Sequence, residues 1–592
     1  MSDMSFTPAR PLRLEPTAGE TAQGSFLGDL WRLCVPYFKS PDRWIAIPLL
    51  VLVITFNFSG VFLSVVYNEW NGRFFNSLEK KDQASFFREM SIFSVLATLF
   101  ILNATVRTFT NRYLQLRWRR WLTKKYLTRW LSGRAYYHLE IARSADNPDQ
   151  RIAEDIRLLL SSTMLLSMGF LSAVLTLVSF LAILWTLSGP YTFSIAGSEI
   201  TIPGYMVWAA FLYALLGTLI AHFVGRPLIG LNFRKQRLEA NFRFGLVRTR
   251  ENSEAIALYA GEGQETEGLT ESFTQVLANY WKTLMAELRL SVYSVAYDQA
   301  AVIFPFIVAS PRYFAAAITL GTLMQISQAF SQVQSALSFF VTNYADLAEW
   351  RAVINRLRGF DVAVDAAMHM PEGPTIEKSA SATDVSISGL DLVLPSGRHL
   401  ADNVELRIRR GDRLLIGGLS GAGKSTFFRA ISGIWPYGKG RIVVPAGARS
   451  LFLPQRPYMP IGTLRDVVVY PDTESTADDG VIAVALRDVQ LAGLADNLDE
   501  HAHWANRLSG GEQQRLAAAR ALLYKPDYLF LDEASASLDE TAEAHIYQLL
   551  RERLPNTAIV SIGHRASLRQ WHERQLEFAP GADGRSALVA SS

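Results

Sequence analysis

Apolar residues gather into runs of about twenty over roughly the first 345 positions, whereas beyond them charged residues alternate with short apolar strands. Six runs are long enough to cross a hydrocarbon core of roughly 30 Å. They extend from Trp44 to Tyr67, Ser91 to Thr110, Leu159 to Leu187, Pro203 to Val224, Leu290 to Ala309 and Ala315 to Phe340. Ahead of them, Phe26 to Phe38 is too short to span, and Trp31, Leu33, Val35 and Phe38 among polar neighbours predict a helix lying along the membrane interface. After Phe360 a stretch with Pro371, Gly373 and Pro374 leads into strand patterns at Asp384 to Ile387, Val404 to Ile408 and Arg413 to Gly417. The pattern predicts a helical membrane domain over 26–360, a linker over 361–378 and a soluble α/β domain over 379–592. Residues 1–25, rich in Pro, Thr, Gly and Ser with no apolar core, read as a disordered cytoplasmic tail and not as a cleavable signal.

Charge orients the spans. Ten Lys and Arg residues from Arg112 to Arg151 lie between the second and third spans, and seven from Arg226 to Arg250 lie between the fourth and fifth. By the positive-inside rule both segments face the cytoplasm. Ser188 to Ile202 carries no Lys or Arg and suits the outside, but Arg73, Lys80, Lys81 and Arg88 fit the first external loop poorly. The cytoplasmic segments are long and helical in pattern, enough to reach a cytoplasmic motor. A net charge of +3 gives no reason to expect nucleic acid as a partner. Cys34 is the single cysteine, so no intramolecular disulfide forms, and it reads as a small buried hydrophobe.

Two features of the spans are polar. Gln325, Gln328, Gln332 and Ser335 recur at helical spacing in the sixth, with Ser327, Ser331, Gln334 and Ser338 beside them. Such a stripe is costly against lipid, so it faces either a water-filled cavity or another helix; its width and continuity favour the cavity. Asp298, inside the fifth span, is a pathway or ion-pairing candidate.

The soluble half holds the chemistry. Gly418 to Thr426 reads GLSGAGKST between a strand and an apolar helix start, so Gly418, Ser420, Gly421 and Gly423 allow backbone N–H groups close to phosphate. Thr426 closes the motif. Lys424 then reaches the β- and γ-phosphates, and Ser425 offers a hydroxyl to Mg²⁺. Roughly a hundred residues on, a second strand ends in Asp532 and Glu533. Asp532 suits the metal, and Glu533 suits a base that orients water for attack on the γ-phosphate. ATP and Mg²⁺ are the expected cofactors.

The run RLSGGEQQR, Arg507 to Arg515, resembles the signature of the ATP-binding cassette (ABC) family. Gln455 in LPQRPY resembles that family's Q-loop, ASLDE around Asp539 its D-loop, and His564 in SIGHR its switch histidine, all in the family's order. The resemblance implies that Ser509, Gly510 and Gly511 contact nucleotide held by the opposite subunit's phosphate loop. It further implies that Gln455 senses magnesium and water, and that two copies form a homodimer. Taken alone, Ser509 is also a natural helix cap. Where the family stacks adenine on an aromatic residue, DLVLPSG offers only Leu394.

In the membrane half, WRRWLTKKYLTRWLSGRAYYHL and DNPDQRIAEDI resemble the SbmA/BacA-related bacterial transporters, and ENSEAIALYAGEG resembles the coupling motif of peroxisomal D-type ABC transporters. The resemblance implies an exporter-like six-span fold in the bacterial inner membrane with the ATPase domain cytoplasmic. It implies uptake of bulky hydrophilic solutes such as antimicrobial peptides, bleomycin-like compounds or cobalamin. An exporter of peptides or drugs, a D-type acyl-CoA or lipid transporter, and a non-transport ATPase sensor are the competing readings.

Overall fold

The computed structural model describes residues 25–142, 147–195, 198–370, 373–472, 477–581 and 585–590. The expected tail through residue 24, Arg143 and Pro371 therefore lie outside the described residues. Chain contacts divide the protein into two units: 22–128 with 147–361, and 129–146 with 362–592.

The first unit is helical. Helix α1 (Phe26–Lys39) precedes α2 (Arg43–Glu79) and α3 (Gln83–Leu131), after which α4 (Ala135–Ala142) falls in the second unit. Next come α5 (Pro148–Ser188, opening on a π-turn at Arg151–Asp155), α6 (Tyr205–Glu251), α7 (Ser253–Leu258) and α8 (Glu262–Phe314). Then follow α9 (Leu320–Leu337), α10 (Phe339–Thr342) and α11 (Tyr344–Met368). At 1.5 Å per residue α3, with 49 residues, measures about 70 Å, and α6 and α8 are of similar length, so each exceeds the hydrocarbon core.

Among the described residues five helices are long and apolar enough to cross a membrane, against the six expected. The sixth is α9, whose own Gln and Ser residues dilute its hydropathy. It also starts later than Ala315, because Ala316 adopts a left-handed turn (φ 54°) and the Thr319 side chain caps the new helix by accepting from the Thr322 N–H at 3.2 Å. Where a plain loop was expected after α5, strands β1 (Pro190–Ile195) and β2 (Ser198–Pro203) pair as an antiparallel hairpin.

Several polar groups inside this unit hydrogen-bond across helices. Asn57 donates to the Met168 carbonyl at 3.1 Å and Asn103 to that of Phe56 at 3.2 Å. Arg73 lies 4.0 Å from Glu69 and 3.4 Å from the buried Glu89, and Arg88 lies 3.7 Å from Glu89. Two of the basic residues that fitted an external position poorly are thus neutralised locally. Helix α1 packs through Asp29, ion-paired to Arg358 at 2.6 Å, and through Tyr37, stacked on Trp118. Burial beside them pushes the Cys34 thiol up to about 12, as suits a packing residue.

The second unit is built on a ten-stranded sheet with α4 lying against it. Its strands are β3 (Thr375–Ser379), β4 (Val385–Val393), β5 (His399–Ile408), β6 (Arg413–Gly418), β7 (Gly438–Pro445), β8 (Ser450–Leu453), β9 (Tyr528–Asp532), β10 (Ala558–Ile562), β11 (Arg574–Pro580) and β12 (Ser586–Ala590). Their order is β3-β7-β4-β5-β12-β11-β6-β10-β9-β8. The stretch β6-β10-β9-β8 is parallel throughout, and its strands are near-continuous Leu, Ile, Val and Phe because both faces are covered. Ile141 of α4 packs against the core containing Ile416, Phe427 and Trp435, His138 Nδ1 lies 2.9 Å from the Ala367 carbonyl, and Arg134 hydrogen-bonds the Gly433 carbonyl. The cytoplasmic end of the first long loop therefore belongs to the soluble unit.

One buried charge governs the opening of α5. Asp155, 1% exposed, accepts from Arg151 at 2.8 Å and from Arg356 at 2.9 and 2.6 Å. Removing the carboxylate breaks the buried Asp155–Arg151 pair and the Asp155–Arg356 pair together. Asp155→Ala is expected to cost about 3 kcal/mol, read as a lowered melting temperature of the purified protein in detergent.

Candidate functional site

The parallel strands β6, β10, β9 and β8 end side by side, and the segment that follows each end carries a functional group. From β6 the chain enters the loop Gly418–Gly423 and then α12 (Lys424–Ile431). Gly418 has φ 125°, and a Cβ there would sit 2.8 Å from the Phe578 carbonyl oxygen, so only glycine fits. Gly423, at φ 101°, abuts Leu400 and turns the loop so that the α12 N-terminus opens at its mouth. Lys424 folds back, donating to the Gly418 and Leu419 carbonyls at 2.7 and 2.9 Å. Burial depresses its pKa, while the Glu533 and Asp532 carboxylates oppose that shift.

Ser425 Oγ donates to Asp532 Oδ1 at 3.1 Å, so a hydroxyl from the start of α12 and a carboxylate from the end of β9 share one point, as a Mg²⁺ site requires. Burial raises the Asp532 pKa, and a bound cation would reverse that. Glu533 sits one residue beyond β9 in a left-handed conformation (φ 49°), fixed by its N–H bond to the Ile562 carbonyl at 3.0 Å. Gln455 Nε2 donates to Glu533 Oε2 at 2.9 Å, and His564 Nε2 lies 3.5 Å from Glu533 Oε1. Two sequence-selected residues that follow two strand ends thus converge on the carboxylate of a third.

Ser509, Gly510 and Gly511 open α15 (Gly510–Tyr524, numbered after α13, Leu464–Val469, and α14, Asp479–Asp488). Ser509 forms a capping box with Glu512: its Oγ accepts from the Glu512 N–H at 3.3 Å, and Glu512 accepts from the Ser509 N–H at 2.8 Å. Among the described residues no hydrogen bond or ion pair joins these residues to Lys424 or Glu533. Asp539 caps α16 (Glu540–Arg553), accepting from the Ala542 N–H at 2.7 Å. Ser420, Gly421 and Thr426 lie in the phosphate loop and α12 as expected. Leu394 closes a tight β4–β5 hairpin, its N–H bonded to the Arg398 carbonyl at 2.8 Å, and packs on the core as an aliphatic wall.

The polar candidates in the membrane unit divide. Gln325 and Gln328 meet another helix: Asn68 donates to the Gln325 carbonyl at 3.0 Å and to Gln328 Oε1 at 3.2 Å, and Asn71 donates to Gln328 Oε1 at 3.0 Å. Gln332 is half-buried, while Ser335 and Asp298 lie on exposed helix faces. Sequence reasoning missed Asn68 and Asn71 because single asparagines in an apolar run carry no periodic signal. It also missed Gln514, which lay inside the quoted signature.

Fold and site define an ATP-driven membrane transporter of the ABC class. The chain belongs to the ABC transporters that fuse a membrane domain to an ATPase cassette: the ABC transporter transmembrane region 2 family matches residues 30–314, and the ABC transporter family matches residues 401–536. An uncharacterized ABC transporter ATP-binding protein of Haemophilus influenzae is 38% identical over 91% of this chain and 90% of its own length. The inner membrane ABC transporter ATP-binding protein YddA of Escherichia coli is 33% identical, covering 90% of this chain and 94% of its own. The human lysosomal cobalamin transporter ABCD4 is 25% identical over 93% of this chain and 94% of its own, which relates the chain to the D-type transporters. In fold it is similar to a bacterial Atm1-family ABC exporter with ATP bound, at TM-score 0.71, 17% identity and coverage of 93% and 95%. The cassette binds ATP with Mg²⁺ and couples its hydrolysis to transport, as the family does.

The Ser509 cap gives a direct check. Ser509→Ala should lower cassette stability by about 1 kcal/mol through the lost capping bond while Ser509→Thr keeps it, measured by urea unfolding monitored through cassette fluorescence.

Proposed function

We propose that two copies of this chain form an inner-membrane importer of bulky hydrophilic solutes, peptides and cobalamin-like molecules among them. The observation that carries the hydrophilic cargo is the polar surface of α9: Ser331 and Ser335 are exposed and Gln332 half-buried along a helix flanked by apolar spans. The Ser331 hydroxyl is bonded to the Ser327 carbonyl at 3.1 Å, so the Gln332 amide and the Ser335 hydroxyl are the groups that water or a polar solute satisfies and an acyl chain does not. The lysosomal cobalamin transporter among the relatives supports the same cargo class. Resemblance of the NPDQRIAEDI and ENSEAIALYAGEG segments to SbmA/BacA-related and D-type transporters supports uptake. Likeness to an exporter favours the second reading, expulsion of peptides or drugs, on fold alone.

In the importer, Lys424 would exchange its carbonyl partners for phosphate oxygens, and Ser425, Asp532 and Gln455 would hold Mg²⁺, which would neutralise charge on the phosphates. Glu533 takes a proton from, or orients, the attacking water, with Gln455 and His564 fixing the carboxylate from either side. Ser509, Gly510 and Gly511, by their resemblance to the ABC signature, close the nucleotide of the other copy. The resemblance of segments 147–155 and 251–261 to transporter coupling motifs assigns them the transmission of closure.

Glu533→Gln is expected to bind ATP with near-normal affinity and to lose about a hundredfold or more in turnover, measured in lipid vesicles; full activity would remove Glu533 from the role. Proteoliposomes with ATP on the cassette side separate the two directions. Movement of a labelled peptide or of cobalamin toward the cassette side is expected, and movement only away from it would establish export.

A further inference from the structure

The signature helix carries one side chain that none of these roles uses. Gln514 is 3% exposed, and both ends of its amide are engaged. Its Nε2 donates to the Gln455 carbonyl at 3.1 Å, and its Oε1 accepts from the Ser537 N–H at 2.8 Å. The orientation is fixed by its partners, because flipping the amide would set N–H against N–H and oxygen against oxygen. Around the same point, a Cβ on Gly510 would sit 3.2 Å from Ser537 Oγ, and one on Gly511 would sit 3.2 Å from the Ser537 carbonyl oxygen. The signature glycines thus lie directly against the segment that leads to Asp539. From the opposite side Arg565, the residue after His564, donates to the carbonyls of Leu538 at 2.7 Å and Ala536 at 3.0 Å.

Residues 536–538 are therefore gripped between α15 and the turn after β10, and the side chain that grips them from α15 also holds the backbone of Gln455. Gln455 bonds Glu533 in the site of its own chain, whereas Ser509 to Gly511 belong, in the composite-site reading, to the site of the other copy. Gln514 stands between the two.

We infer that Gln514 is a positioning residue linking the two composite nucleotide sites: it makes the Gln455 loop, the signature helix and the 536–539 loop move as one body. Occupancy at Gln455 of one site thereby sets the placement of the elements the same chain offers to the other. The inference rests on the composite-site reading above. A hydrophobic side chain of similar length keeps the packing but cuts both bonds, and a carboxylate keeps the acceptor for Ser537 while losing the donor to Gln455.

The test uses the full-length protein in lipid. Gln514→Leu is expected to lower kcat about tenfold with KM for ATP changed less than about threefold, and to speed amide exchange over 535–539 while 418–426 and 528–532 keep their wild-type rates. Gln514→Glu is expected to lose turnover similarly but to retain slow exchange over 535–539, and it carries the test alone should Gln514→Leu not fold. Wild-type turnover in the variants, or exchange that rises across the whole cassette, overturns the inference. Amide exchange does not depend on the catalytic assignment, so an active Glu533→Gln protein would sink that assignment while leaving the local grip on 535–539 measurable.

Discussion

Parallel pairing of β6, β10, β9 and β8 is the constraint on which the cassette depends, because it brings the C-terminal ends of four hydrophobic strands to one edge. Each strand is apolar enough to be buried on both faces, and the first polar residues after it are pushed out together. Lys424 and Ser425, His564, Asp532 and Glu533, and Gln455 meet there although the outermost of them are far apart in the chain. Backbone bonds fix the strands, so the side chains that follow need little further ordering to form a site. The left-handed Glu533 illustrates this, since its unusual conformation is held by a ladder-like bond to the end of β10.

The membrane unit solves a different problem with the same groups. Amides there bind across helices, Asn57 to α5, Asn103 to α2, and Asn68 and Asn71 to α9, and each satisfies a group that lipid would leave unpaired. Charges are treated alike, with Glu89 and Asp155 buried only where arginines meet them. Within the stripe on α9 this splits residues that look equivalent in sequence: Gln328 is spent on helix packing, while Ser331 and Ser335 stay exposed.

The phosphate loop was legible because its chemistry is local: nine contiguous residues supply glycines, lysine and hydroxyl. Gln514 was not legible as a clamp, since its partners lie 59 and 23 residues away. The sixth span shows the same limit. Its polar residues marked it as unusual, but its late start at Leu320 depends on the Ala316 turn and the Thr319 cap, which hydropathy does not register.

By itself the sequence determined the membrane and soluble halves, the α/β cassette and the identity of the ATP-site residues, because hydrophobic runs, strand ends and phosphate loops are encoded by neighbouring positions. Only the tertiary structure decided which polar residues meet. It placed α4 with the cassette, gave Gln328 to α2, set Gln455 and His564 on either side of Glu533 and put Gln514 between two loops. Hydrogen bonds are short and directional, so their pairing follows from the register and approach of elements distant in the chain, which no local pattern specifies.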